Sequence, residues 1–166
     1  MNDKNTQDLE TLAKNCQALI SSKQTLLIST ASINSQPDIS YAPFVQDQAG
    51  AFYIYVSELA SHTANLLQNP RASILFIRSE TESQNLFARE RVVMTCDVIE
   101  IPRTNQIYPV QLDALRAKFG DTVSLLQSLP DFHLFALRPI RGRYVVGFGR
   151  AFNIDVNTGS LSHLQK

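Results

Sequence analysis

The sequence predicts a mainly-β fold with flanking helices, an α+β chain whose strands form a closed or nearly closed antiparallel barrel. Three observations carry the prediction. Six or seven short apolar and β-branched runs alternate with turn residues over most of the 166 positions. Helical periodicity is confined to the N-terminus and to two or three brief stretches between the runs. No internal repeat, low-complexity segment or linker interrupts the chain, so it reads as a single domain over 1–166, with an N-terminal helix over about 6–22, a barrel over about 25–152 and a short C-terminal tail.

Leu9, Leu12, Cys16, Leu19 and Ile20 make one apolar stripe on a helix, leaving Glu10, Lys14 and Lys23 for solvent. The period then changes. Leu26 to Ala31 is an apolar, β-branched run, and Asn34-Ser35-Gln36-Pro37 supplies turn chemistry before Ile39 to Val45 resumes as a strand. Asp47-Gln48-Ala49-Gly50 turns again into Ala51 to Val56, the rhythm of a meander. A short helix follows, read as capped by Ser57 and ended before Asn69-Pro70. Ala72 to Ile77 and Val92 to Ile101 are strands, separated by a polar loop or short helix over Ser79 to Arg89. Gln106 to Leu126 reads as a helix broken at Gly120. The last strands run from Asp131 to Arg138 and from Arg143 to Phe148, with Pro139 and Gly142 bracketing a turn between them.

Composition excludes several classes of function. Fifteen basic and fifteen acidic residues cancel, so the chain lacks the broad positive field that non-specific nucleic-acid binding requires. No apolar run approaches the roughly eighteen residues that membrane insertion needs. The N-terminus is polar and has no signal-peptide hydrophobic region, which makes the cytoplasm the expected location. Two cysteines far apart make neither a disulfide framework nor a thiolate metal site, and Cys16 and Cys96 read as buried small side chains. There is no Gly-rich phosphate loop, no Gly-x-Ser-x-Gly elbow and no His-Glu-x-x-His helix.

The middle of the chain narrows the field. Phe52 to Ser57, then Ser61-His62-Thr63, then Asn69-Pro70-Arg71-Ala72 through Phe76 resemble the pyridoxamine 5′-phosphate oxidase-like split barrels. Other stretches are similar to the HugZ/HutZ heme-utilisation branch of that superfamily. They are Ser40 to Gln46, Thr81-Glu82 with Asn85 to Arg89 and Arg91, Asp131-Phe132 with Leu134-Phe135, and Gly147-Phe148-Gly149 with Ala151-Phe152. The resemblance runs from about Leu26 to His163 and implies a flavin-reductase-like split β-barrel, a homodimer, and a cofactor at the subunit interface.

Which cofactor is a matter of charge. A flavin phosphate is a dianion and wants fixed cations or convergent N–H groups. The oxidase pattern places Ser-Arg-Lys where this chain has Ser61-His62-Thr63, and an Arg or Lys on the earlier strand where it has Ser40 to Val45. An FMN-dependent oxidoreductase would have to use Ser61, Thr63, Arg71 and backbone groups, with Arg78 as a further cation. Heme instead needs an axial ligand, a group to tune it, apolar surface and cations for the propionates. The heme-utilisation resemblance implies Asp131 as the hydrogen-bond partner of the iron-bound imidazole and Arg91 as an arginine near the heme. Such a carboxylate would strengthen electron donation to iron, favouring oxygen chemistry over storage.

The chain has three histidines. Family members carry a Gly-His some residues beyond position 166, and His163 aligns just upstream of it. His163 is the candidate iron ligand, the alternative being a solvated tail histidine. His62 is either a phosphate or propionate contact or a capping residue, and His133 is expected on the wet face of its strand. Tyr41 is expected to pack at an interface. The expected function is heme binding with oxidative heme degradation and iron release, using an electron donor that the sequence does not identify. The alternatives are the FMN-dependent oxidoreductase and a non-catalytic heme carrier.

Overall fold

A computed structural model describes residues 2–164. Helix α1 (Asn2–Ser21) leads into β1 (Thr25–Ala31), β2 (Pro37–Gln46) and β3 (Phe52–Ser57), then α2 (Ser61–Gln68) and β4 (Arg71–Ile77). A 3-10 turn at Leu86–Ala88 precedes β5 (Arg91–Ile101), and α3 (Ile107–Phe119) and α4 (Asp121–Gln127) precede β6 (Phe132–Gly147), β7 (Arg150–Ile154) and β8 (Leu161–His163). All strand pairs are antiparallel, in the order β3-β2-β1-β4-β5-β6-β7-β8, and β3 also pairs with β6. That extra pairing closes β1 to β6 into a six-stranded barrel.

The split lies within β6. Phe132 to Leu137 pair with β3, and from Leu134 on they also pair with β5, whereas Gly142 to Gly147 have exchanged β3 for β7. The sequence reading placed a turn between two strands here, and the structure has one strand of 16 residues. Pro139 does not break it because the β5–β6 register shifts between Thr95 and Cys96, which face Arg141 and Pro139 respectively. At such a bulge a ladder donor is already missing, so a residue without an N–H is tolerated. Gly142 is required for another reason: a Cβ there would stand 2.9 Å from the Cβ of Ile154 on β7.

The barrel interior explains the alternating strands. Leu26 and Ile28 of β1, Ile74 and Phe76 of β4, and Val92 and Met94 of β5 point inward, and α1 plugs one opening with Leu12, Cys16, Leu19 and Ile20. Phe44, Phe52 and Phe76 meet at centroid separations of 5.4–5.6 Å, each burial contributing about 1.5–3 kcal/mol. β3 is buried on both faces, because Tyr53 and Tyr55 lie under α3 and α4 with Leu112, Leu115 and Val123. Burial pushes the thiols of Cys16 and Cys96 up to about 12, so both remain protonated at neutral pH as inert core residues.

One further expectation is corrected. Ser57 does not cap α2, which begins at Ser61 after Ala60 and has no side-chain cap. Ser57 Oγ instead accepts the Leu59 N–H at 3.1 Å, and its carbonyl accepts the Thr63 hydroxyl at 2.6 Å, so it closes the turn before the helix. Beyond the barrel the chain forms a flap: β7 pairs with β6, and β8 pairs with β7, setting His163 opposite Phe152.

Candidate functional site

The sequence-predicted site residues fall into three places. Ser61, His62 and Thr63 open α2, and none is free to clamp a phosphate. Ser61 Oγ donates to Asp38 at 2.5 Å, and Thr63 is fully buried with its hydroxyl committed to Ser57. His62 is only 6% exposed and its Nε2 has no hydrogen-bond partner. Burial pushes its pKa below the ordinary histidine value, against a weaker pull from Asp38. A cation at this position is therefore disfavoured. Arg71 is exposed at the start of β4, and Arg78 is paired with Glu90, which also accepts the hydroxyl of buried Tyr144.

Asp131 sits at the β3 end of β6. Its Oδ2 accepts from Ser57 Oγ at 2.6 Å, and its carbonyl accepts the Glu58 N–H at 2.9 Å. Beside it His133 is neither a wet-face residue nor a pocket residue. Its Nε2 lies 2.7 Å from Glu58 and its Nδ1 2.7 Å from Glu100, with the ring stacked on Phe135. Burial alone would lower its pKa, but the hydrogen bonds and charges of Glu100 and Glu58 outweigh that and hold it above the ordinary value.

Arg91 lies at the other end of β6. It faces Val145, and Val93, two residues on, faces Arg143, so both arginines project from the outer sheet surface. With Arg150 they line a cleft of about 320 Å³ that Phe87, Phe148 and Leu164 also border. No carboxylate lies within ion-pair distance of Arg91, Arg143 or Arg150 among the described residues. Both phenylalanines stand out of the protein, Phe87 at 91% exposure and Phe148 at 70%. The Asn85 side chain accepts the Phe87 N–H and fixes the 3-10 turn. Phe148 is lifted out at a hairpin tip where Gly149 takes a φ of +66°.

Arg143, Arg150 and the two aromatics were missed in the sequence. The available signals were the alternation Arg141-x-Arg143-x-Val145 along β6 and an aromatic between two glycines, a composition that marks a turn. His163 is exposed and adjoins this end of the fold. Its ring packs 5.1 Å from that of Phe152, on the opposite face of the flap from Arg91, while Leu164 reaches the cleft. The structure does not bring His163 and Asp131 together. Phe132 and the row of Tyr144, Phe152 and His163 are separated by twelve positions along β6, roughly 40 Å of strand path.

A closed six-stranded antiparallel barrel whose last strand leaves to carry a flap defines the flavin-reductase-like split-barrel class. The chain matches the pyridoxamine 5′-phosphate oxidase family over residues 12–146 and belongs to that family. It is 36% identical over 133 residues to heme oxygenase HutZ of Vibrio cholerae serotype O1, covering 80% of this chain and 75% of that protein. The crystal structure of HutZ from Vibrio cholerae, there called a heme storage protein, superposes with a TM-score of 0.76 at 32% identity, over 86% of this chain and 99% of that one. That of Campylobacter jejuni ChuZ gives 0.81 at 28% identity, over 93% of this chain and 63% of that one. The expected superfamily, its heme-utilisation branch and the split barrel are thereby established. Among the described residues no helix is long and apolar enough to cross a membrane.

Proposed function

We propose that this chain is a cytoplasmic protein that binds heme as a homodimer and takes part in heme utilisation by oxidative degradation with release of iron. The observation that carries the reading is the cleft between Arg91, Arg143 and Arg150. Three cations without carboxylate partners among the described residues, beside two outstanding phenylalanine rings, match a planar apolar dianion. The relatives named for heme, at 36% and 32% identity, point the same way. Arg91, Arg143 and Arg150 would hold the propionates, and Phe87 and Phe148 the macrocycle.

Of the three histidines, His163 alone offers an exposed imidazole with no hydrogen-bond partner among the described residues. His62 is buried, and both nitrogens of His133 are engaged. His163 is therefore the proposed iron ligand, for heme held in the cleft of a second copy, since it lies on the face of the flap opposite its own cleft, and Asp131 is its proposed partner. Bound heme supplies the oxygen chemistry. The protein would supply charge and orientation. FMN draws no support from Ser61, His62, Thr63 or Arg71, since the first three are spent or buried and the fourth stands alone.

Two features support the homodimer. Tyr41, Leu27, Leu75 and Val93 are in register across β2, β1, β4 and β5 and form an outward apolar row that ends on Arg143. Tyr41 and Ile39 beside it are mostly exposed, and such a face on a sheet marks an association surface. A second copy also gives Asp131 and His163 a way to meet that one chain lacks.

Hemin titration of the purified protein, followed by absorption and by size in solution, tests this. A dimer with a saturable Soret band, which bleaches under ascorbate and oxygen and yields chelatable iron, is the expected result. A band that persists under those conditions makes the protein a carrier. Flavin bands in the purified protein, with no hemin binding, overturn the reading.

A further inference from the structure

The surroundings of Asp131 carry an inference that rests on the heme reading and goes beyond it. Ser57 Oγ lies between two groups: it accepts the Leu59 N–H at 3.1 Å and stands 2.6 Å from Asp131 Oδ2. Because a backbone donor occupies the oxygen from one side, the hydroxyl proton is directed to the carboxylate. Oδ1 of Asp131 has no partner among the described residues and is not sealed from solvent. One oxygen is thus fixed by the protein and the other is left for an incoming donor. The turn that carries Ser57 is itself held. The Glu58 N–H binds the Asp131 carbonyl at 2.9 Å, and the Glu58 carboxylate is joined through His133 to Glu100 on β5. Both imidazole nitrogens meet carboxylate oxygens at 2.7 Å, an arrangement in which both must donate and the ring is an imidazolium.

We propose that Ser57 is the positioning residue for Asp131, and that the Glu58–His133–Glu100 clamp holds the β3–α2 turn from which Ser57 acts. Ser57 touches neither heme nor iron; its effect passes through the Asp131 carboxylate. The residues come from the end of β3, from β5 and from β6, so the arrangement exists in one chain before any ligand binds. Partners of this kind typically change activity by about 10–100-fold when removed.

The test compares Ser57→Ala, Ser57→Thr and His133→Gln in the full chain, with two readouts. The first needs no heme: the side-chain 13Cγ resonance of Asp131 in the apoprotein. It should move in S57A, stay near its wild-type position in S57T, which keeps the hydroxyl, and move less in H133Q than in S57A. The second is hemin affinity against the rate of ascorbate-driven degradation. S57A should slow degradation about tenfold with affinity nearly unchanged, and S57T should restore most of the rate. An Asp131 resonance indifferent to S57A overturns the proposal whatever heme does. So does an unchanged degradation rate in S57A, or equal losses in S57A and S57T. If wild-type protein fails to bind hemin, the heme reading falls and the 13Cγ shifts alone decide whether Ser57 orients Asp131.

Discussion

The two ends of β6 solve opposite problems. At the Phe132 end, Ser57, Glu58, Glu100, Asp131 and His133 bind one another, so that the imidazole and each of the three carboxylates has a partner within the chain. At the Gly147 end, Arg91, Arg143 and Arg150 have no carboxylate partner among the described residues, and two phenylalanines face water. The first end is organised before anything binds, so substitutions there should disturb stability and geometry. The second is built at some cost to the free chain, as exposed aromatics and clustered like charges are, so substitutions there should leave folding intact and appear only on binding.

The sharpest way to break this comparison is to reverse the charge in the cleft. Arg91→Glu should lower hemin affinity on the order of 100-fold, since it removes a charge-assisted contact of about 1.5–3 kcal/mol and sets a carboxylate against the propionates. The thermal midpoint should fall by no more than a few degrees, because Arg91 also donates from Nη1 to the Arg89 carbonyl at 3.0 Å and that bond is lost. If R91E melts far lower while still binding hemin, Arg91 belongs to the structure and the cleft is not the site. Next in size is Phe148→Ala. Covering one ring gains about 1.5–3 kcal/mol, part of it offset by ordering, so an affinity loss of roughly tenfold is expected. Here stability should be unaffected, because the ring is 70% exposed in the free chain. Phe76→Ala is the control from the barrel core: a loss of about 3–5 kcal/mol in stability is expected from denaturant unfolding.

How much of this was legible in the sequence follows from distance along the chain. The meander, α1 and the break at Gly120 between α3 and α4 are local patterns and were read correctly. Pro139 was over-read because a proline breaks a strand only where its N–H is needed, and the compensating bulge involves Thr95 and Cys96, more than forty residues away. β8 escaped because three residues bounded by polar turns carry no periodic signal. Individual residues of the site were visible through the resemblance, but their companionship was not. Ser57 and Asp131 are 74 positions apart, and Glu58 and His133 are 75. His133 looked like a wet-face residue since alternation says which face a side chain takes, and nothing about two glutamates from other elements meeting it there.

The smallest expected effect concerns pH and separates the two ends by their sign. Glu58 from the β3–α2 turn and Glu100 from β5 face His133, and Phe135 stacks on it from its own strand. The folded pKa of His133 is raised above the ordinary 6.5, so its contribution is complete below pH 6.5 and is lost as pH rises through the folded value. His62 acts in reverse: its folded pKa is lowered from 6.5, so its contribution is present above 6.5 and falls away below it. Between about pH 7 and 8 the His62 contribution is complete and the cysteine thiols, whose raised folded values cost stability only as the unfolded thiols ionise near pH 8.5 and above, do not yet contribute, so the His133 effect is the one read there. Unfolding measured in urea across that window should show stability declining by less than about 1 kcal/mol, a small figure because both glutamates are about half exposed and screened. His133→Gln should flatten the decline, and Arg91→Glu should leave it in place. A slope that survives H133Q would mean that the clamp does not titrate, and that the Phe132 end is held by Ser57 and Asp131 alone.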